Sequence, residues 1–185
     1  MNANSVGDIK LHHLVLLETN YYYELLAQDE SIRHAQCMLL FGNKPDENTI
    51  FFKRSFVLPL TLGFGNSLEA SFEYKTEQLC RRIDLIAETN PDLNPYGIMV
   101  LNEDIFDYSN VIQRLTTEHH LNILFSYEPH NAAKDGLKLK AYVIHNYVED
   151  KQLGFKRIDF QLQNSNILLG DDSQKTANEP YLEGR

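Results

Sequence analysis

Two acidic side chains with chemical potential, Glu103 and Asp104, follow a short apolar segment at residues 96–101. The segment is typical of a strand, and Ser109 after the acidic loop is a candidate helix cap. Loops that follow strands commonly carry catalytic groups. Two adjacent carboxylates can bind a hard cation or move a proton. The loop contains no histidine, so by itself it predicts at most a weak cation site.

The histidines and cysteines show no metal-binding spacing. His12-His13 and His119-His120 are adjacent pairs, whose side chains diverge on a helix and alternate on a strand. An enzyme with scattered residues stays open as an alternative: a metal-dependent hydrolase that uses Glu103, Asp104 and a histidine such as His130. Two cysteines within apolar segments predict buried, reduced thiols rather than a disulfide scaffold. They are Cys37 and Cys80.

Composition narrows the class of protein. The chain has 185 residues, 43% of them hydrophobic, and a net charge of −9. These values indicate one globular domain and argue against a nucleic-acid partner, which usually requires a basic face. The longest apolar segments are far shorter than the roughly 20 residues that cross a bilayer. We therefore expect a cytoplasmic or nuclear protein without a membrane partner.

Hydrophobic periodicity predicts strands both in adjacent pairs and beside helices. The first predicted helix carries Leu14, Leu17, Tyr21 and Leu25 on one face. It also has three consecutive tyrosines, so at least one tyrosine should lie at a rim or in a protein contact. This order predicts an α/β fold with a mixed, largely antiparallel sheet flanked by helices. We expect a leader at 1–8, a domain at 9–163 and a polar tail at 164–185. Helices are predicted at 14–28, 69–89 and 110–119, an exposed loop at 61–68, and strands at 9–13, 34–41, 49–60, 96–101, 121–127, 137–148 and 154–162.

Several segments, in order along the chain, resemble the MPN domain family. His12-His13-Leu14-Val15-Leu16-Leu17 is similar to a family opening that reads His-Pro-Leu-Val-Leu-Leu, with His13 at the proline position. Further similarities span residues 9 to 162. They are Cys37-Met38-Leu39-Leu40-Phe41-Gly42, Phe56-Val57-Leu58-Pro59, Leu79-Cys80-Arg81-Arg82-Ile83, Tyr96-Gly97 and Gly136-Leu137-Lys138-Leu139-Lys140-Ala141-Tyr142-Val143. The resemblance implies the MPN/JAMM (cytidine-deaminase-like) architecture.

Active members of that family are zinc isopeptidases, and the resemblance implies that this chain lacks their site. The family uses a glutamate, two histidines, a serine and an aspartate, with zinc activating a water. Carried onto this chain, those positions fall on Ala35, Val100, Asn102, Asn110 and Gln113. The resemblance therefore implies a catalytically silent member without metal or other cofactor.

Silent members of the family act as scaffolds beside an active homologue. The resemblance implies such a role in the COP9 signalosome or the proteasome lid, and a silent subunit of translation initiation factor three is the alternative within the same fold. Pairing would use the long helix and the first helix. Candidate contacts are Thr76, Leu79, Tyr22 and Tyr23. Leu79 could equally belong to the core, and the tyrosines could be exposed without a partner.

Overall fold

The computed structural model describes residues 7–28, 37–58, 60–64, 70–101, 108–128, 138–147 and 152–163. These residues form three helices and ten strands. The helices are α1 (His13–Gln28), α2 (Thr76–Thr89) and α3 (Ser109–His119). The strands are β1 (Asp8–His12), β2 (Cys37–Asp46), β3 (Thr49–Val57), β4 (Thr61–Phe64), β5 (Ala70–Glu73), β6 (Asn94–Val100), β7 (Ile123–Glu128), β8 (Lys138–Tyr147), β9 (Gln152–Ile158) and β10 (Gln161–Gln163).

Eight of these strands form one mixed sheet in the order β10-β1-β3-β2-β6-β7-β8-β9. Its antiparallel pairs are β2–β3, β2–β6, β7–β8 and β8–β9. The other three pairs, β1–β10, β1–β3 and β6–β7, are parallel. The prediction of a mixed α/β fold is confirmed. The neighbouring strands predicted at 34–41 and 49–60 correspond to β2 and β3, which pair as an antiparallel hairpin.

Alternation along the central strands divides the core between the two faces of the sheet. On β2, Leu39 and Phe41 pack with α2 and α3, whereas Met38 and Leu40 pack with α1. Successive side chains on a strand point to opposite faces, so a strand covered on both faces needs a continuous apolar segment. The segment Cys37–Phe41 meets this need because all five residues are buried.

The sheet curls until its two edges approach each other. β9 lies at one edge and β10 at the other, yet only Asp159 and Phe160 connect them. The Phe160 ring packs against Phe125 with ring centroids 5.3 Å apart. Phe125 in turn contacts Phe52, at 5.7 Å, so these rings join the closing segment to the inner core. Edge-to-face pairs of this kind stabilise beyond the area that they bury.

Glu18 on α1 occupies the place that a strand would take beside the second half of β3. β1 pairs with β3 only as far as Phe52, because the chain turns into α1 at His13. Beyond that point the Ser55 N–H donates to Glu18 Oε1 at 3.3 Å, and Arg54 forms an ion pair with the same carboxylate at 3.0 Å. The carboxylate therefore gives the Ser55 N–H on this open side of β3 an acceptor, and it anchors α1 to the sheet.

Replacement of Glu18 by alanine should lower the free energy of unfolding by about 1–2 kcal/mol, because Ser55 loses the acceptor for its backbone N–H. Urea denaturation measures the change. The matched control is Glu77→Ala, which removes an ion pair to Arg81 between side chains that are largely exposed. We expect no measurable change from the control. Equal effects of the two substitutions would contradict the assigned role of Glu18.

Three sequence predictions are wrong in detail. The long helix begins at Thr76 rather than at residue 69, because Ala70–Glu73 pairs with Thr61–Phe64 as a separate two-stranded hairpin. That hairpin also replaces part of the predicted loop at 61–68. Cys37 is buried as predicted, but Cys80 is exposed, since it lies about 100° around α2 from the buried Leu79.

Candidate functional site

The strand ends that would carry a catalytic site lie together at one end of the central strands. β2 begins at Cys37 and β6 ends at Val100, and these two residues are direct partners. Val100 is also paired with Ser126 near the end of β7, and Glu128 faces the start of β8 at Lys138. The chain therefore enters β2 and leaves β6 and β7 at this one end of the strands, next to segments 29–36, 102–107 and 129–137, which lie outside the described residues.

Five of the predicted site positions fall in those segments, outside the described residues. They are Ala35, Asn102, Glu103, Asp104 and His130. The structure fixes only the strands from which these segments depart. Within the residues that the structure does describe, no group of three or more histidine, cysteine, aspartate or glutamate side chains is arranged to hold a metal.

Val100 does not fit a zinc site. Its side chain is fully buried in an apolar cluster that includes Cys37 and Leu39 of β2 and Ile112 of α3. An aliphatic side chain offers no lone pair to a metal. Burial also raises the pKa of the neighbouring Cys37 thiol to about 12, so this sulfur stays protonated and is a poor ligand or nucleophile.

The two predicted positions on α3 differ in exposure. Val111, Ile112 and Leu115 form the buried side of the helix. Asn110 is exposed and Gln113 is half-buried. Neither amide can provide the anionic oxygen that an aspartate would give to zinc.

A polar cluster that the sequence did not predict joins the start of α2 to α3. Arg114 Nη1 donates to the Tyr74 carbonyl at 3.0 Å, and its Nη2 donates to Thr76 Oγ1 at 2.8 Å. The guanidinium lies 4.1 Å from the centroid of the Tyr74 ring, whose hydroxyl donates to Glu118 at 2.9 Å. Burial and the Glu118 hydrogen bond raise the pKa of Tyr74, so the phenol stays neutral and keeps donating. The residues that these contacts join across α2 and α3 are 38 or more positions apart in the sequence. Local sequence patterns therefore could not indicate the cluster.

Arg114 should contribute measurably to stability because its guanidinium joins α3 to Tyr74 and Thr76 at the start of α2 through two hydrogen bonds. We expect Arg114→Ala to lower the free energy of unfolding by about 1 kcal/mol, a figure reduced for the partial exposure of the guanidinium. Arg114→Lys should recover little, since one ammonium cannot reproduce the planar fork. Urea denaturation of both variants, beside Arg82→Ala on the exposed side of α2, measures this contribution. An Arg114→Lys variant as stable as the wild type would contradict the role assigned to the guanidinium.

The partner-binding candidates differ in accessibility. Thr76 is exposed, but its hydroxyl accepts the Arg114 hydrogen bond. Leu79 is fully buried in the core, which supports the core alternative for this residue. Of the tyrosines, Tyr23 is buried, Tyr22 is half-buried and Tyr21 is 62% exposed. The expectation that at least one tyrosine lies at a rim is confirmed.

An apolar surface runs along the outer face of α1. It consists of Leu14, Leu17, Tyr21 and Leu25, and we call it the α1 stripe. Leu17 is 68% exposed, and Tyr21 stacks edge-on against Tyr22 with ring centroids 5.6 Å apart. The helix packs on the sheet through its other side, where Val15, Thr19 and Tyr23 are buried. Both faces of α1 are thus largely apolar, so helical spacing alone could not distinguish the packed face from the exposed one.

A cavity of about 270 Å³ lies beside the start of β1, away from the strand ends described above. Gly7, Asp8, Ile9, Ile158, Asp159, Phe160 and Gln161 line it. It contains none of the predicted site residues.

No family model matches the chain, and no curated protein matches its sequence. No helix in the described part of the chain is both long and apolar enough to cross a membrane. The fold described above, a curled mixed sheet with helices on both faces, therefore defines an α/β protein without assigning it to a family.

Proposed function

We propose that this chain is a non-catalytic MPN-like scaffold subunit that pairs with a homologous active metalloprotease in a deneddylase or deubiquitinase complex. The α1 stripe is the observation that carries the proposal. Its four large apolar side chains are 38 to 68% exposed along one helix. A contiguous exposed apolar surface of this kind commonly marks a protein interaction site.

The anchoring of α1 supports a role in binding. The inner face of the helix is packed, and Glu18 ties it to β3 through Arg54 and Ser55. Pairing therefore needs no rearrangement of the helix, and a rigid surface loses little entropy on association. The spacing of the stripe, at i, i+3, i+7 and i+11, suits packing against a helix of the partner.

The silent character of the proposed subunit rests on the substituted positions. Val100 stands at one metal-ligand position that the resemblance implies, and its surroundings are apolar. A histidine there would require polar partners inside this cluster. Together, the apolar strand end and the exposed stripe favour binding over catalysis.

Zinc analysis and a cleavage assay on ubiquitin and ubiquitin-like conjugates test the silent character with the purified full-length chain. We expect neither stoichiometric zinc nor cleavage. Zinc that binds in a one-to-one ratio and is lost in Asp104→Asn and His130→Ala would overturn the proposal. That result would instead support the hydrolase that uses Glu103, Asp104 and His130.

A further inference from the structure

The first turn of α1 is capped by an imidazole. The Leu14 N–H donates to His12 Nδ1 at 2.9 Å, and His12 is the last residue of β1. The first backbone N–H groups of a helix have no partner within the helix, and a side-chain acceptor usually satisfies one of them. The first turn of α1 contains no acidic residue to assist. Histidine here takes the place of the more usual asparagine or aspartate.

We propose that His12 is a pH-sensitive N-cap of α1, which holds the first turn of the helix when neutral and releases it when protonated. Nδ1 accepts a hydrogen bond only while it carries no proton. Protonation would also place a positive charge at the helix N-terminus, where the helix dipole disfavours cations. The loss of the bond and the added charge act in the same direction.

The surroundings of His12 favour the neutral form. Burial lowers the pKa of His12 below its ordinary value of 6.5, and the nearby His13 and Lys53 lower it further, whereas Glu18 raises it. The ring also lies 6.1 Å from that of Phe51 on β3, and the β10 residue opposite His12 is the uncharged Gln163. Among the described residues, His13, Lys53 and Glu18 are the charged or titratable groups that shift this pKa.

The direction of the pH effect follows from this lowered pKa. Just below pH 6.5 the unfolded chain binds a proton at His12 more readily than the folded chain does. The stabilisation from the cap is therefore complete above that pH, decreases as the pH falls, and is gone below the folded-state pKa. Leu14, the donor, is also the first residue of the α1 stripe, so the cap determines where that surface begins. The inference concerns the isolated chain and does not depend on the proposed function.

Amide hydrogen exchange by NMR on the full-length chain, between pH 7.5 and 5 and corrected for intrinsic exchange rates, tests the proposal. We expect the protection of the Leu14 amide to fall about fivefold over this range, the change that loss of an ordinary N-cap would produce. In His12→Asn, whose amide accepts without titrating, the protection should not change with pH. The matched control His13→Asn should keep a pH-dependent protection, with the midpoint moved to higher pH because His13 no longer lowers the pKa of His12.

The readout is a pH dependence, so a change in overall stability caused by either substitution does not imitate it. Wild-type pH dependence that persists in His12→Asn would overturn the proposal. So would a Leu14 amide whose protection in the wild-type chain is the same at pH 7.5 and pH 5.

Discussion

Replacing Leu17 and Tyr21 together by aspartate is expected to reduce recovery of the proposed metalloprotease partner in affinity purification about tenfold or more. These are the most exposed members of the α1 stripe, at 68% and 62%. Two carboxylates placed in an apolar contact lose their hydration without gaining a partner, and central apolar residues dominate the energy of most interfaces. Quantitative mass spectrometry of affinity-purified full-length chains measures the recovery.

The matched control for that experiment is Leu162→Asp. Leu162 is 42% exposed, close to the 43% of Leu25, but it lies on β10 rather than on the stripe. The same change of chemistry there should leave recovery of the partner intact. Circular dichroism and thermal unfolding should show that the double variant remains folded, because the side chains of Leu17 and Tyr21 are largely exposed. Equal losses in both variants would show that the stripe is not the pairing surface.

Leu79→Ala should cause the largest loss of stability among the candidate contact residues. Leu79 is fully buried between α2 and the sheet, so truncation leaves a cavity in the cluster that contains Ile86, Val111 and Leu115. We expect the free energy of unfolding to fall by about 3 kcal/mol. Urea denaturation measures it, and Leu85→Ala, at an exposed leucine of the same helix, is the control with little expected change.

The same variant also separates the two interpretations of Leu79. If Leu79 belongs only to the core, the folded Leu79→Ala chain at low temperature should recover its partner as well as the wild type does. If the Leu79→Ala chain were as stable as the wild type but no longer recovered the partner, Leu79 would be a contact residue instead.

Local patterns predicted much of the fold because many of its elements are determined locally. The continuous apolar segment at 37–41 and the β-branched and aromatic residues at 49–57 predicted the β2–β3 hairpin. The residues 70–73 were predicted as the first turn of the long helix, and their pairing with 61–64 makes them a strand instead. The closure between β9 and β10 depends on contacts such as Phe160 with Phe125, which no local pattern encodes.

The candidate site was less accessible to prediction for a related reason. Helical spacing identified the four residues of the α1 stripe as one face, but the opposite face was nearly as apolar. Which of the two packs on the sheet depends on the point at which β1 ends and on the contact between Glu18 and β3. The Arg114 cluster likewise joins elements that are distant in the sequence. The resemblance placed Val100 at a ligand position, and only the structure located its side chain in the core.

Affinity purification of the full-length chain from its own cells, followed by mass spectrometry of the proteins that accompany it, tests the proposed function most directly. We expect recovery of an active MPN-type metalloprotease, at close to one copy per chain and dependent on Leu17 and Tyr21. Recovery of ribosomal initiation components instead would assign the chain to a translation factor. The absence of any homologous MPN subunit would contradict the proposed pairing.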